Sequence, residues 1–318
     1  MTHLTDQSAT SLFEYPFMPK NFRLADGHQL SYLDEGDEGD GPTVVMVHGN
    51  PSWSYLYRNL VTALKADYRC LVPDHLGCGF SEKPQDYPYR LQNHIDNFTA
   101  LLDYLEIERC VLVVHDWGGA IGMGWAGQHS ERVAGLVVLN TAAFHSHLIP
   151  QRIAVCRWPL LGSLLVRGLN GFALPATFMA VNKKMQPEVR AGFLAPYDSW
   201  VNRVAVHRFV QDIPLQSSHP SWETLSRVEA SLGQLEDKPM LICWGGKDFC
   251  FHDTFYAEWQ QRFPKAQSHY FPKAGHYVLE DALPEVLKLL QRFLARSIGA
   301  EVEATHSETE TTEQSAKC

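Results

Sequence analysis

Short apolar runs without alternation recur along the chain, at residues 43–47, 69–73, 110–114, 134–139, 240–244 and 268–271. A strand buried on one face only would alternate apolar and polar side chains. Unbroken Val/Leu-rich runs instead predict parallel strands covered on both faces. Residues 93–105 and 284–297 carry apolar side chains at helical spacing and predict crossover helices. Ahead of the first run, residues 22–24 and 30–33 flank Asp26-Gly27, the pattern of a hairpin. One interval breaks the rhythm. About 100 residues separate Leu139 from Met240, far beyond ordinary loop length, and they hold helical patterns of their own. The prediction is an N-terminal extension over 1–16, a core over 17–141, an inserted helical cap over 142–215, the rest of the core over 216–298, and a tail over 299–318. That tail is Glu/Thr/Ser-rich with almost no large apolar side chain, so it is expected to be disordered.

Composition narrows the function. The chain has 318 residues, 45% of them apolar, enough for one large core with an inserted subdomain. Net charge is −9 with no basic block, which argues against nucleic acid as a partner. The seven cysteines lack C-x-x-C spacing and several fall in strand-like runs, the pattern of reduced, buried thiols in a cytoplasmic protein. No signal peptide is visible at the N-terminus, and no run of about 18 apolar residues predicts a membrane span.

The candidate chemistry sits at the ends of the predicted strands. Val114-His115-Asp116-Trp117-Gly118-Gly119 follows the run 110–114 with the form of a nucleophile elbow, a sharp strand-to-helix turn that holds one side chain above the sheet edge. An aspartate occupies the slot that serine takes in an esterase. Asp116 is either the nucleophile, forming a covalent adduct with carbon, or a strand-end residue capping the next helix. His276, in Lys273-Ala274-Gly275-His276-Tyr277, and Asp248, in Trp244-Gly245-Gly246-Lys247-Asp248, follow the last two predicted strands. Taken alone, each could be an ordinary loop or turn residue. The order nucleophile, acid, histidine at three strand ends is that of an α/β-hydrolase triad.

His48-Gly49-Asn50-Pro51 follows the first central strand, where that fold recruits a backbone N–H for an oxyanion hole. The Asn50 amide and the Trp117 indole N–H are expected to face one apolar cavity as an anion cradle, against plain turn and packing roles. Gly77 and Gly79 suggest a phosphate loop. They lack the Lys-Ser/Thr that would handle phosphate, so a structural turn is expected. His145 and His147 have no third ligand at metal-binding spacing and are expected at the cap surface or the pocket rim. Leu160, Leu161, Leu164, Leu165, Phe172 and Phe178 form an apolar stripe, read either as pocket lining or as cap-on-core packing.

His-Gly-Asn-Pro, Pro-Asp-His-Leu-Gly-Cys-Gly-Phe-Ser, His-Asp-Trp-Gly-Gly, Gly-Gly-Lys-Asp and Gly-His-Tyr together make the chain resemble the haloalkane dehalogenases of the α/β-hydrolase superfamily, from about Phe22 to Ala295. Asn50 with Trp117 as the anion pair, and the acid at Asp248 rather than near Asn140, resembles the third subfamily. Members of that group are similar to the β-lactone decarboxylases of bacterial olefin biosynthesis, as are the segments beginning at Ala195, Phe209 and Gly275.

The resemblance implies an α/β-hydrolase fold with a mostly parallel sheet and a helical cap, a triad of Asp116, His276 and Asp248, and no metal or organic cofactor. Its expected partners are a small apolar substrate and other olefin-pathway enzymes. It favours decarboxylation of cis-3-alkyl-4-alkyloxetan-2-ones to cis-alkenes and CO2, with haloalkane hydrolysis through an alkyl-aspartyl ester as the alternative. Epoxide hydrolases fit less well, because they use a pair of cap tyrosines and the cap carries Tyr197 alone. Fluoroacetate dehalogenases hold a carboxylate with arginines near the nucleophile, and none lies there. A ligand-binding protein reusing the fold is the reading outside catalysis, and an intact triad argues against it.

Overall fold

The computed structural model describes residues 12–37 and 41–296, so the expected disordered tail and most of the N-terminal extension lie outside the described residues. Eight strands form one sheet in the order β1-β2-β4-β3-β5-β6-β7-β8. Strands β1 (Lys20–Arg23) and β2 (Gln29–Glu35) make the expected hairpin and pair antiparallel. Strand β2 also runs antiparallel to β4 (Cys70–Pro73). From there β3 (Thr43–Val47), β5 (Cys110–Asp116), β6 (Val133–Thr141), β7 (Met240–Gly245) and β8 (Gln267–Phe271) are all parallel.

Both faces of the central strands are covered, which is why their sequences do not alternate. Val111 and Val113 of β5 face one apolar layer with Leu60 and Val61, from helix α1 (Arg58–Leu64), and Val286 and Leu290. Cys110, Leu112 and Val114 face the other layer, with Ile95 of α2 (Leu91–Tyr104) and Ile121 of α3 (Trp117–Ala126). Each such fully buried aliphatic contributes about 1.5–3 kcal/mol relative to exposure.

The helices between β6 and β7 include α4 (Gln151–Cys156), α5 (Pro159–Ser163) with a π-turn over Leu164–Gly168, α6 (Ala173–Met179), α7 (Pro187–Leu194) and α8 (Val204–Gln211). We refer to this insertion as the cap. Between it and the carboxyl ends of the strands lies a cavity of about 630 Å³, the space in which any site on those strand ends must operate. Helix α9 (Trp222–Ser231) returns the chain to the sheet, with Leu225 and Val228 in the same layer as α2 and α3. Among the described residues no helix is long and apolar enough to cross a membrane.

Candidate functional site

The turn after β5 is as sharp as the elbow motif predicts. Asp116 has φ 53° and ψ −125°, left-handed backbone unusual for a residue with a side chain. Two glycines make room for it. A Cβ on Gly118 would stand 2.0 Å from the Val47 carbonyl oxygen, and one on Gly49 would stand 2.1 Å from Asp116 Oδ1. The Thr141 hydroxyl donates to the Asp116 carbonyl and ties the elbow to the end of β6.

The loops after β3 and β4 are fixed by buried polar groups. Asp74 accepts hydrogen bonds from Ser54 N at 2.7 Å and Phe80 N at 2.9 Å. His75 N donates to His48 Nε2 at 3.0 Å, and the His75 ring returns a hydrogen bond to the His48 carbonyl. Gly77 and Gly79 both have positive φ, and a Cβ on Gly79 would collide with the Asp74 carboxylate. The glycine-bearing segment is a turn built around Asp74.

Held in this way, Asn50 N donates to Asp116 Oδ1 at 2.6 Å, and the Trp117 backbone N–H also favours the ionised carboxylate. The structure thus directs two backbone donors at the candidate nucleophile. Burial nevertheless dominates and raises the Asp116 pKa above its ordinary value. Asn50 and Trp117 both line the cavity. The Asn50 amide is not wholly free, because Nδ2 donates to the Val206 carbonyl of the cap at 3.1 Å. Its second amide hydrogen remains for an anion.

His276 and Asp248, from the loops after β8 and β7, converge on Asp116 at the same carboxyl edge of the sheet. His276 Nδ1 donates to Asp248 Oδ2 at 2.7 Å, and Nε2 lies 3.7 Å from Asp116 Oδ2, close but beyond a direct hydrogen bond. Burial opposes a charged His276, but the carboxylates of Asp248 and Asp116 outweigh it and raise the imidazole pKa. The three residues expected to form a triad are thus brought together, with all three side chains buried.

Supporting residues appear that motif reading passed over. Asn140, with φ 36°, donates to Asp248 Oδ2 at 3.1 Å and exchanges hydrogen bonds with both backbone groups of Gly245. A polar residue closing the apolar run of β6 was the available signal. Cys250 N donates to Asp248 Oδ1 at 2.6 Å, and the His115 ring donates to the His276 carbonyl at 2.9 Å. Burial and the charge of His276 hold His115 neutral, so it acts as a fixed strut.

The cavity walls differ from the expected stripe. Of the six cap residues proposed, Phe172 alone lines the cavity. Leu160 is 88% exposed, Phe178 is 60% exposed, Leu161 and Leu164 also face solvent, and Leu165 is half-buried. The apolar lining comes instead from residues such as Ile153, Ala176, Met179, Val210, Phe249 and Phe251. Tyr197 is buried against the Ser52 carbonyl and does not line the cavity. His145 hydrogen-bonds Ser226 and stacks on Trp222, and no cluster of three or more metal-ligating side chains occurs among the described residues. Six of the cysteines are free thiols, five of them buried.

Residues 42–283 match the family model described as alpha/beta hydrolase fold. The chain is 47% identical to the cis-3-alkyl-4-alkyloxetan-2-one decarboxylase of Shewanella oneidensis, over 87% of this chain and 89% of that protein. It is 31% identical to haloalkane dehalogenase 2 of Mycobacterium tuberculosis, over 88% of this chain and 96% of that protein. Among solved structures, the haloalkane dehalogenase DbeA from Bradyrhizobium elkani superposes with a TM-score of 0.80 at 24% identity, covering 89% of this chain and 99% of that one, a likeness of fold.

Proposed function

The chain belongs to the α/β-hydrolase family, and from that premise we propose that it decarboxylates cis-3-alkyl-4-alkyloxetan-2-ones to cis-alkenes, with Asp116 as nucleophile, His276 and Asp248 as its partners, and Asn50 and Trp117 as the anion cradle. The observation that carries this reading is the 47% identity to a decarboxylase of that name across nearly the whole of both chains. The cavity of about 630 Å³, lined mostly by apolar side chains, supports a small apolar substrate.

The reaction balances without any added reactant. An Asp116 carboxylate oxygen attacks the alkyl-substituted ring carbon that bears the ring oxygen, opposite the carbonyl carbon. That carbon–oxygen bond breaks, leaving an alkyl-aspartyl ester and a free carboxylate opposite the nucleophile, where Asn50 and Trp117 receive it. The carboxylate then leaves as CO2. Its carbon–carbon electron pair becomes the second bond of the alkene, and the ester bond breaks with its pair returning to Asp116. Backside attack followed by anti departure converts a cis-substituted ring into a cis alkene. Charge returns to a carboxylate already faced by the Asn50 and Trp117 backbone N–H groups and by His276, so little reorganisation is needed. The apolar walls favour the step in which a carboxylate becomes neutral CO2.

Haloalkane hydrolysis is the second reading, favoured by the 31% identical dehalogenase. It shares the first displacement but then needs water, activated by neutral His276, to cleave the ester. The two separate on purified protein offered a synthetic cis-dialkyl β-lactone and a bromoalkane, with alkene followed by gas chromatography and bromide by ion detection. We expect kcat/KM at least about 100-fold higher for the lactone, since both alkyl chains contribute binding energy that orients the ring. Efficient bromide release beside an untouched lactone would overturn the proposal.

A further inference from the structure

Beyond the reaction itself, we infer that the outer face of the cap docks on an anionic lipid surface, so that an apolar substrate passes from the bilayer into the cavity beneath. The passage of substrate rests on the proposed function; the docking does not.

Most of the apolar cap residues that the sequence left between pocket lining and cap-on-core packing instead belong to an exposed ridge. Along α5 and its π-turn, Trp158, Leu160, Leu161, Leu164 and Leu169 all face solvent, while Gly162 and Val166 face inward. Leu164, Gly168 and Trp200 are neighbours, so Trp200 extends the ridge. Scattered surface leucines are ordinary, but large side chains contiguous along one helix are not.

The same segment, 148–180, is the cavity wall. Ile153 and Cys156 on α4, and Ala176 and Met179 on α6, line the cavity, whereas Phe178 points outward. Leu148 does both, lining the cavity while half exposed at its lip. One layer of helix thus separates the exposed apolar ridge from the apolar interior.

Charge selects the occupant. Residues 142–215 carry eight Lys or Arg against three Asp or Glu, a net +5 within a chain of −9. None of the eight cations forms an ion pair among the described residues, and the cap's buried Asp212 pairs with Arg90 of the core. In sequence Arg157 precedes the ridge and Arg167 lies within it, and Arg167 stacks on Trp200 at 4.7 Å. Arg208, on the adjoining α8, is exposed and close enough to Arg167 for the two charges to repel. An apolar ridge bearing Trp and Leu and bordered by unpaired cations is the chemistry of a helix lying in the headgroup region of an anionic bilayer.

The test is flotation of the full-length protein with vesicles of phosphatidylglycerol and phosphatidylcholine, compared with phosphatidylcholine alone, and it needs no turnover. The wild type should float with the anionic vesicles. High salt should weaken binding, and Leu160→Glu/Leu164→Glu should weaken it by about tenfold or more. Both positions are exposed, so an unchanged melting temperature shows that the variant folds. An Arg157→Gln/Arg208→Gln variant, apolar ridge intact, should lose the preference for anionic vesicles. The inference is overturned if the wild type does not float, if the variants float equally well, or if the ridge substitutions instead dissolve a dimer that never binds vesicles. A wild type that turns over the lactone but does not float would sink the docking alone, and one that floats but leaves the lactone untouched would sink the proposed reaction alone.

Discussion

Asp116 and His276 are shifted in the same direction for different reasons, burial raising the carboxylic acid and the two carboxylates raising the imidazole. This separates the two chemistries by pH. Cleaving an alkyl-aspartyl ester requires neutral His276 to take a proton from water, and an imidazole raised above 6.5 stays protonated to higher pH. Bromide release from a haloalkane should therefore fall as pH drops through that raised value, about tenfold per pH unit below it. Decarboxylation needs ionised Asp116 but no base. Alkene formation should not follow the titration of His276 and should fall only where Asp116 itself takes up a proton. Steady-state pH profiles for the two products measure this, and superimposable profiles would contradict the proposed cycle. The three candidate triad residues were legible because each follows a β-like run in a short glycine-bearing motif. Asn140 was not, since its role depends on the neighbouring strand end bringing Gly245 and Asp248 to it.

At the scale of elements, the strand-to-helix turn at Asp116 works only because backbone passes close to backbone. A Gly118 methyl would press on the Val47 carbonyl, an atom of a central strand that cannot swing aside like a side chain. Gly118→Ala should cost about 3 kcal/mol or more of unfolding free energy and displace the elbow, with the loss read from urea denaturation and from turnover. A variant of wild-type stability would show that the turn is looser than described. The central strands were readable from sequence because each is a continuous apolar run buried on both faces, and the expected and observed bounds differ by at most two residues. The cap was readable as helical but not by face. Its helices α4 and α5 are short, Pro159 starts the second, and the π-turn at Leu164–Gly168 shifts the helical phase. A stripe read at constant period across those breaks left Leu160 and Leu164 as either pocket lining or cap-on-core packing, when they belong outside.

For the whole molecule, the sheet supplies a rigid floor on which Asp116, Asn140, Gly245 and Asn50 stand at the ends of four adjacent parallel strands, and the cap supplies the apolar roof. The floor serves a lactone and a haloalkane alike. What distinguishes the proposed cycle is that water never enters it. The direct measurement is many turnovers of a cis-dialkyl β-lactone in water labelled with heavy oxygen, followed by mass spectrometry of the products and of the peptide containing Asp116. The account predicts alkene as product and an Asp116 carboxylate without label, because the ester is broken by departure of CO2 and never by hydrolysis. A β-hydroxy acid carrying the label, or heavy oxygen accumulating in Asp116 with each turnover, would show that water cleaves the intermediate and would contradict decarboxylation as the work of this site.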